Sequence, residues 1–109
     1  MKLPHRESAY IPPPKLNEYL LSEVHSVGKA KAKFFRSYGF NETNTDVLEQ
    51  RLLAIAQSED VIDVVRTTHG TKYVIDGSLQ TISGETLYVR TIWIIEDQNH
   101  PRFVTAYPA

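Results

Sequence analysis

Apolar residues recur at helical spacing through the first half of this chain and at strand spacing through the second, with the change near residue 60. In residues 15–22 (KLNEYLLS), Leu16, Tyr19 and Leu20 stand at i, i+3 and i+4, which predicts a short amphipathic helix whose stripe meets a core. Residues 29–38 (KAKAKFFRSY) are rich in good helix formers and set Phe34 and Tyr38 on one face; Gly39 follows as a natural left-handed stop. After the cap candidates of residues 41–46, Val47, Leu48, Leu52, Ile55 and Ala56 repeat at helical spacing and predict a helix over residues 44–58. Beyond Val61 the period shortens: residues 61–66 (VIDVVR) and 72–79 read as paired strands joined by a tight turn at His69 and Gly70. Residues 86–108 (TLYVRTIWIIEDQNHPRFVTAYP) read as a second hairpin, broken at residues 97–101. Helices first, strands after and short connections throughout predict an α+β fold. Its N-terminal helices pack on one face of a roughly four-stranded antiparallel sheet.

The second hairpin is the part around which the rest must pack. Its first strand has almost no polar side, which predicts a central strand with protein on both faces. Arg90 is the exception. A cation there is paired with a carboxylate, left at an edge, or aimed into a cleft that receives an anion. In the second strand, alternation sets Phe103, Thr105 and Tyr107 on one face, looking over the open side of the sheet, and the small apolar Val104 and Ala106 on the helix side. Register decides the companions of Arg90: an even-numbered loop aligns it with Thr105 and Tyr107, and an odd-numbered one aligns Trp93 instead.

With 109 residues, 41% of them hydrophobic, the chain has room for one compact domain and not for two. Four of its six prolines fall within residues 1–14. The expected organisation is therefore an extended proline-rich arm over residues 1–14 and a single α+β domain over residues 15–109. No run approaches the ~18 apolar residues of a membrane span, and MKLPHRES lacks the layout of a signal peptide, which points to a cytoplasmic protein. The absence of cysteine excludes disulfides and thiolate metal sites. A net charge of −1 argues against a dedicated nucleic-acid binder unless positive charge is gathered locally. Residues 25–36 do gather it, holding four of the twelve Lys/Arg residues and no acid.

The four histidines, His5, His25, His69 and His100, share no i, i+4 pair and have no dense carboxylate cluster beside them, so a zinc site is not expected. Residues 28–31 (GKAK) lack the first glycine and the Ser/Thr of a P-loop. Even so, a glycine opening a helix leaves backbone N–H groups pointing outward with a partial positive charge behind them. With His25 just before Gly28, and Lys29 and Lys31 just inside the helix, this segment suits an anion; a solvated basic helix face with a surface histidine has the same spacing. His69, beside a glycine, reads first as a turn residue.

The ordered set KLNEYLL (residues 15–21), HSVGKAKAKFF (25–35), YGF (38–40), HGTKYVIDG (69–77), VRTIWII (89–95) and RFVTAYP (102–108) resembles a family of small bacterial domains, DUF6883-like. Some of these stand alone, and others resemble the C-terminal toxin domains of contact-dependent growth inhibition and related polymorphic toxin systems. The resemblance spans about residues 14–108. It implies the barnase/EndoU/colicin/RelE-type ribonuclease fold, in which N-terminal helices pack on a four-stranded antiparallel sheet whose open face holds RNA. Related toxins are transfer-RNA nucleases, some dependent on elongation factor Tu, and an immunity protein holds them inactive. By position, the resemblance implies His25, Lys31, Arg90 and Thr105 as catalytic residues and Gly28 as the glycine of the motif. Ser26 stands where proline is usual and Lys29 where a small residue is usual; neither change removes a candidate catalytic group. A short chain with its own Met1 looks like the standalone branch, in which toxicity and catalysis are less expected.

The chemistry of metal-free RNA cleavage fits that implication. The RNA 2′-hydroxyl is the nucleophile, so the protein must remove its proton, protonate the leaving oxygen and stabilise charge on the phosphoryl group. His25, with an unperturbed pKa of about 6.5, suits the proton transfers. Lys31 and Arg90 can hold the phosphate, Arg90 through two parallel hydrogen bonds. Thr105 can orient a phosphate oxygen, Gly28 and Lys29 can receive substrate, Tyr107 can stack on a base, and His69 is a second acid–base candidate. No cofactor is required. The expected function is a metal-independent endoribonuclease acting on transfer RNA within a toxin or toxin–antitoxin system. Its expected partners are RNA, an immunity or antitoxin protein and elongation factor Tu. The alternative is a catalytically silent protein- or RNA-binding module with the same fold; an immunity protein facing a basic toxin would be more acidic. Arg90 on the open face favours the enzyme, and Arg90 salt-bridged on the helix-packed face favours the silent module.

Overall fold

The computed structural model of the chain describes residues 1–24, 29–97 and 99–109. β1 (Val61–Thr67), β2 (Gly70–Gln80), β3 (Thr86–Ile95) and β4 (Arg102–Pro108) pair in chain order as one antiparallel meander. A short helix (Lys15–Leu20), α1 (Lys29–Arg36) and α2 (Thr45–Ser58) precede the sheet, giving the α+β architecture that the periodicity predicts. Alternation builds the core. Ile75, Gly77 and Leu79 of β2 and Val89, Thr91 and Trp93 of β3 are buried on one face, with Leu48, Leu52, Ile55 and Ala56 of α2 in the same core. Helix and sheet approach closely at Gly77, where a Cβ would stand 2.9 Å from Ile55 Cγ2. The buried Thr91 hydroxyl donates to the Ile75 carbonyl at 2.7 Å and accepts from Trp93 Nε1 at 2.9 Å, so the indole N–H has its partner inside the core.

Two expectations for the hairpin need correction. Cover on both faces of β3 fails at its Tyr88 end, because α2 packs on the odd-numbered side and Tyr88, on the other, is 61% exposed. Nor does Phe103 join Thr105 and Tyr107 on the open face. Ile92 pairs with Thr105 but Trp93 pairs with Phe103, which makes Val104 an extra residue, a bulge that inverts the alternation. Phe103 is therefore fully buried, edge-on to Trp93 with ring centroids 5.3 Å apart. Ala106 is buried as expected. The turn end of the hairpin follows the odd register and the far end the even one, so one hairpin realises both alternatives.

The N-terminal residues run from the start of β1 to the start of β4. The Val61 N–H donates to the Met1 carbonyl at 2.7 Å; further along, the Tyr10 N–H donates to Pro101 and the Tyr10 carbonyl accepts from Phe103, both at 3.0 Å. Leu3, Ala9 and Ile11 are buried along this segment. After α1, Gly39 takes φ +97°, Gly39 N–H donates to Arg36 and Phe40 N–H to Phe35, and the Phe35 and Phe40 rings meet edge-on. That is a left-handed helix stop with its apolar clasp. Arg36 leaves the gathered positive charge and serves as a structural tie. Its Nε and Nη2 donate to the Leu21 carbonyl at 3.0 and 2.7 Å, and the guanidinium also pairs with Glu42 and Glu23. It thereby holds the end of the short helix against α1.

Gly77→Ala, with an Ile55 methyl in the way, should lower the unfolding free energy by about 1–3 kcal/mol in urea titration. A second prediction concerns pH, because the hydrogen bond from Arg36 holds the Glu42 carboxyl below the usual range. A lowered folded pKa means that this stabilisation is complete above the unfolded value of about 4.3 and is lost as the pH falls through the folded one. Glu42→Gln should therefore flatten the acid limb of a stability–pH curve.

Candidate functional site

On the open face, register aligns Asp76, Arg90 and Tyr107 in one row across β2, β3 and β4, and Val74, Ile92 and Thr105 in the next. The Val104 bulge puts Thr105 and Tyr107 beside Arg90 while Phe103 stays inside. Arg90 Nε donates to Asp76 Oδ1 at 2.9 Å and Nη2 to Oδ2 at 3.0 Å, the bidentate fork of a guanidinium on a carboxylate. The Arg90 side chain is 40% exposed and that of Asp76 13%. The hydrogen bonds and charge of Asp76, with a smaller contribution from Tyr107, raise the guanidinium pKa above its already high value. Arg90 is thus permanently cationic and fixed in direction. Its Nη1 edge lies opposite the one that the carboxylate takes. Of the three readings of this residue, the carboxylate-paired one holds, and the pair stands on the open face of the sheet.

The second row is completed from the N-terminal half. Tyr19 shares a 3.0 Å hydrogen bond with Thr105 Oγ1 across 86 residues of sequence. Its helix is wound one step wider than α, with the Leu21 N–H donating to the Leu16 carbonyl at 2.8 Å. Such turns recur at functional positions in helices. Leu16 and Leu20 anchor the helix in the core while Tyr19 stays half-buried. Lys15 Nζ lies 4.8 Å and Lys31 Nζ 5.8 Å from the Tyr19 ring centroid, within cation–π range. Lys31 of α1 therefore stands beside the tyrosine whose hydroxyl is bonded to Thr105.

Arg90, Thr105 and Tyr107 are thus brought together on adjacent rows, with Lys31 beside Tyr19, and Tyr19 and Asp76 join them from outside the sequence-derived set. The helical stripe reads Tyr19 as a core contact. Its ring does border the core, but a half-buried phenol needs a partner for its hydroxyl, and that is the signal in the sequence. Asp76 could have been found as the acid within a strand whose neighbour carries Arg90. Two candidates stand apart. Lys29 is exposed and lines a separate hollow with Glu23, Lys33 and Arg36. His69 sits exposed in the β1–β2 turn, about 20 Å along β2 from Asp76 at ~3.3 Å per residue. His25 and Gly28 lie outside the described residues. Among the described residues, no three His, Asp or Glu side chains converge as metal ligands, and no helix is long and apolar enough to cross a membrane.

A family model described as "Domain of unknown function (DUF6883)" matches residues 2–109, and the chain belongs to that family. Among solved structures, it is similar to a chain of a contact-dependent growth inhibition toxin–immunity protein complex from Klebsiella pneumoniae 342. The TM-score is 0.74 at 12% sequence identity, with 97% of each chain covered. At that identity the likeness is one of fold. No match was found among curated proteins.

The Tyr19–Thr105 bond ties the cluster to both halves of the chain, and a double-mutant cycle should detect it. Tyr19→Phe and Thr105→Val should each fold, with a coupling of about 0.5–1.5 kcal/mol in urea unfolding; additive effects would show that the two hydroxyls act independently.

Proposed function

We propose that this member of the DUF6883 family is a metal-independent endoribonuclease of a toxin or toxin–antitoxin system, with transfer RNA as its substrate. The observation that carries the reading is Arg90. It is held on the open face by Asp76, in register with Tyr107 and one row from Thr105, and Lys31 approaches through Tyr19. A sheet face with cations, a hydroxyl and an aromatic ring in adjacent rows suits a phosphodiester and its bases. The fold shared with a chain of a toxin–immunity complex supports the same class, with an immunity protein as partner.

In this mechanism the 2′-oxygen forms a bond to the adjacent phosphorus while the bond from phosphorus to the 5′-oxygen breaks, leaving a 2′,3′-cyclic phosphate and a 5′-hydroxyl. One proton leaves the 2′-hydroxyl and one reaches the 5′-oxygen, and His25 carries one of these transfers. The Nη1 edge of Arg90 and the Lys31 ammonium take the charge that builds on the non-bridging oxygens. Thr105 orients one of those oxygens and Tyr107 stacks on a neighbouring base. The near-neutral net charge gives the protein modest affinity of its own for RNA, so elongation factor Tu in the cytoplasm is the natural aid to presenting transfer RNA.

A silent binding module with the same fold is the competing reading, favoured by one observation: Asp76 already occupies one edge of Arg90. The decisive experiment incubates purified protein with total bacterial RNA in chelator, with and without elongation factor Tu, beside His25→Ala. Discrete, chelator-resistant cleavage that falls by roughly 100-fold or more in the variant is the expected result. Absence of cleavage under every condition, or cleavage that survives in His25→Ala, overturns the proposal.

A further inference from the structure

Beside the cluster, and sharing Tyr19 with it, lies a hollow of about 400 Å³ lined by Pro12, Pro14, Lys15, Glu18, Tyr19 and Arg102. We infer that it seats the nucleotide next to the scissile one, with its phosphate between Lys15 and Arg102. The inference rests on the ribonuclease reading for placing RNA on the open face, and it adds where the strand goes next. Tyr19 is a shared wall: its hydroxyl is bonded to Thr105 and its ring lines the hollow. Arg102 continues the track along β4, in register with Ile94 two rows from Arg90. The size lies in the range of pockets that hold small organic groups.

The lining chemistry selects the occupant. Two proline rings and a tyrosine ring offer rigid apolar surface without base-edge donors, so they receive a sugar and a base face and leave base identity unread. Lys15 and Arg102 bring cationic donors to the wall that also carries Glu18. Arg102 is held in place by Glu96, much as Asp76 holds Arg90. Lys15 stands over the Tyr19 ring, where its ammonium can bridge the ring and a phosphate. A phosphodiester offers the Lys15 ammonium an anionic partner in competition with Glu18, which a neutral apolar ligand does not.

The test uses the whole chain and an RNA hexamer carrying 2′-O-methyl groups, which cannot be cleaved, titrated at several salt concentrations beside a 2′-O-methyl dinucleotide. Lys15→Ala should weaken hexamer binding by about tenfold and lower the slope of log affinity against log salt by about 0.7. Glu18→Gln should tighten it. Neither variant should move dinucleotide binding. Because the two substitutions push in opposite directions, a general loss of fold cannot imitate the result. Unchanged hexamer affinity and slope in both variants, or equal effects on both ligands, overturn the subsite. Expected binding without cleavage of unmodified RNA overturns the ribonuclease reading and keeps the subsite; cleavage with binding insensitive to both variants does the reverse.

Discussion

The bulge at Val104 lets one hairpin serve two faces that a regular ladder could not serve together. A regular β4 in the even register would carry Phe103 out of the core and leave Trp93 without its edge-on partner. In the odd register it would keep that pair and turn Thr105 and Tyr107 away from Arg90. One extra residue resolves the conflict, at an edge strand where a break in the ladder disturbs a single neighbour. The buried side of the protein and the chemically equipped side are thus fixed by the same local irregularity.

Orientation, more than stability, explains the polar pairs. A part-exposed ion pair such as Arg90 with Asp76 adds little to folding, because solvent screens it and ordering two side chains costs entropy. It does aim a guanidinium. Arg36 performs the corresponding service for the helices, linking the Leu21 carbonyl to Glu42 and so setting α1, with Lys31, against the helix that bears Tyr19. The cluster on the open face is in this sense supported at its two ends by different arginines, and each directs its charge to a protein partner.

Much of this was legible in the chain, and the exceptions have physical reasons. The helix expected over residues 44–58 is found as Thr45–Ser58, because its apolar repeat is long and uninterrupted. Strand order followed from short connections. Alternation extrapolated through residues 102–108 misplaced Phe103, since nothing in RFVTAYP marks Val104 as the residue to be skipped. Asp76 required the register of the β2–β3 pair, and Tyr19 required a contact between opposite ends of the chain, neither of which periodicity contains. Arg90, Thr105 and Lys31 were singled out by an interrupted apolar strand, by alternation and by gathered positive charge, and again by their positions in a family pattern. His25 and Gly28, read first from a glycine that opens a helix and then from the same pattern, lie outside the described residues.

The span of the Tyr19–Thr105 bond bears on how the molecule is made. Every strand pairing within the sheet joins neighbours in sequence, so the sheet can grow hairpin by hairpin as the chain lengthens. Tyr19 is synthesised early and has no Thr105 to meet until β4 exists; Tyr10 and Arg102 wait in the same way. The two adjacent rows that gather Arg90, Tyr107 and Thr105 are therefore completed only once β4 has been made. A chain cut short before β4 has Asp76 and Arg90 but neither the hydroxyl nor the ring that completes their rows.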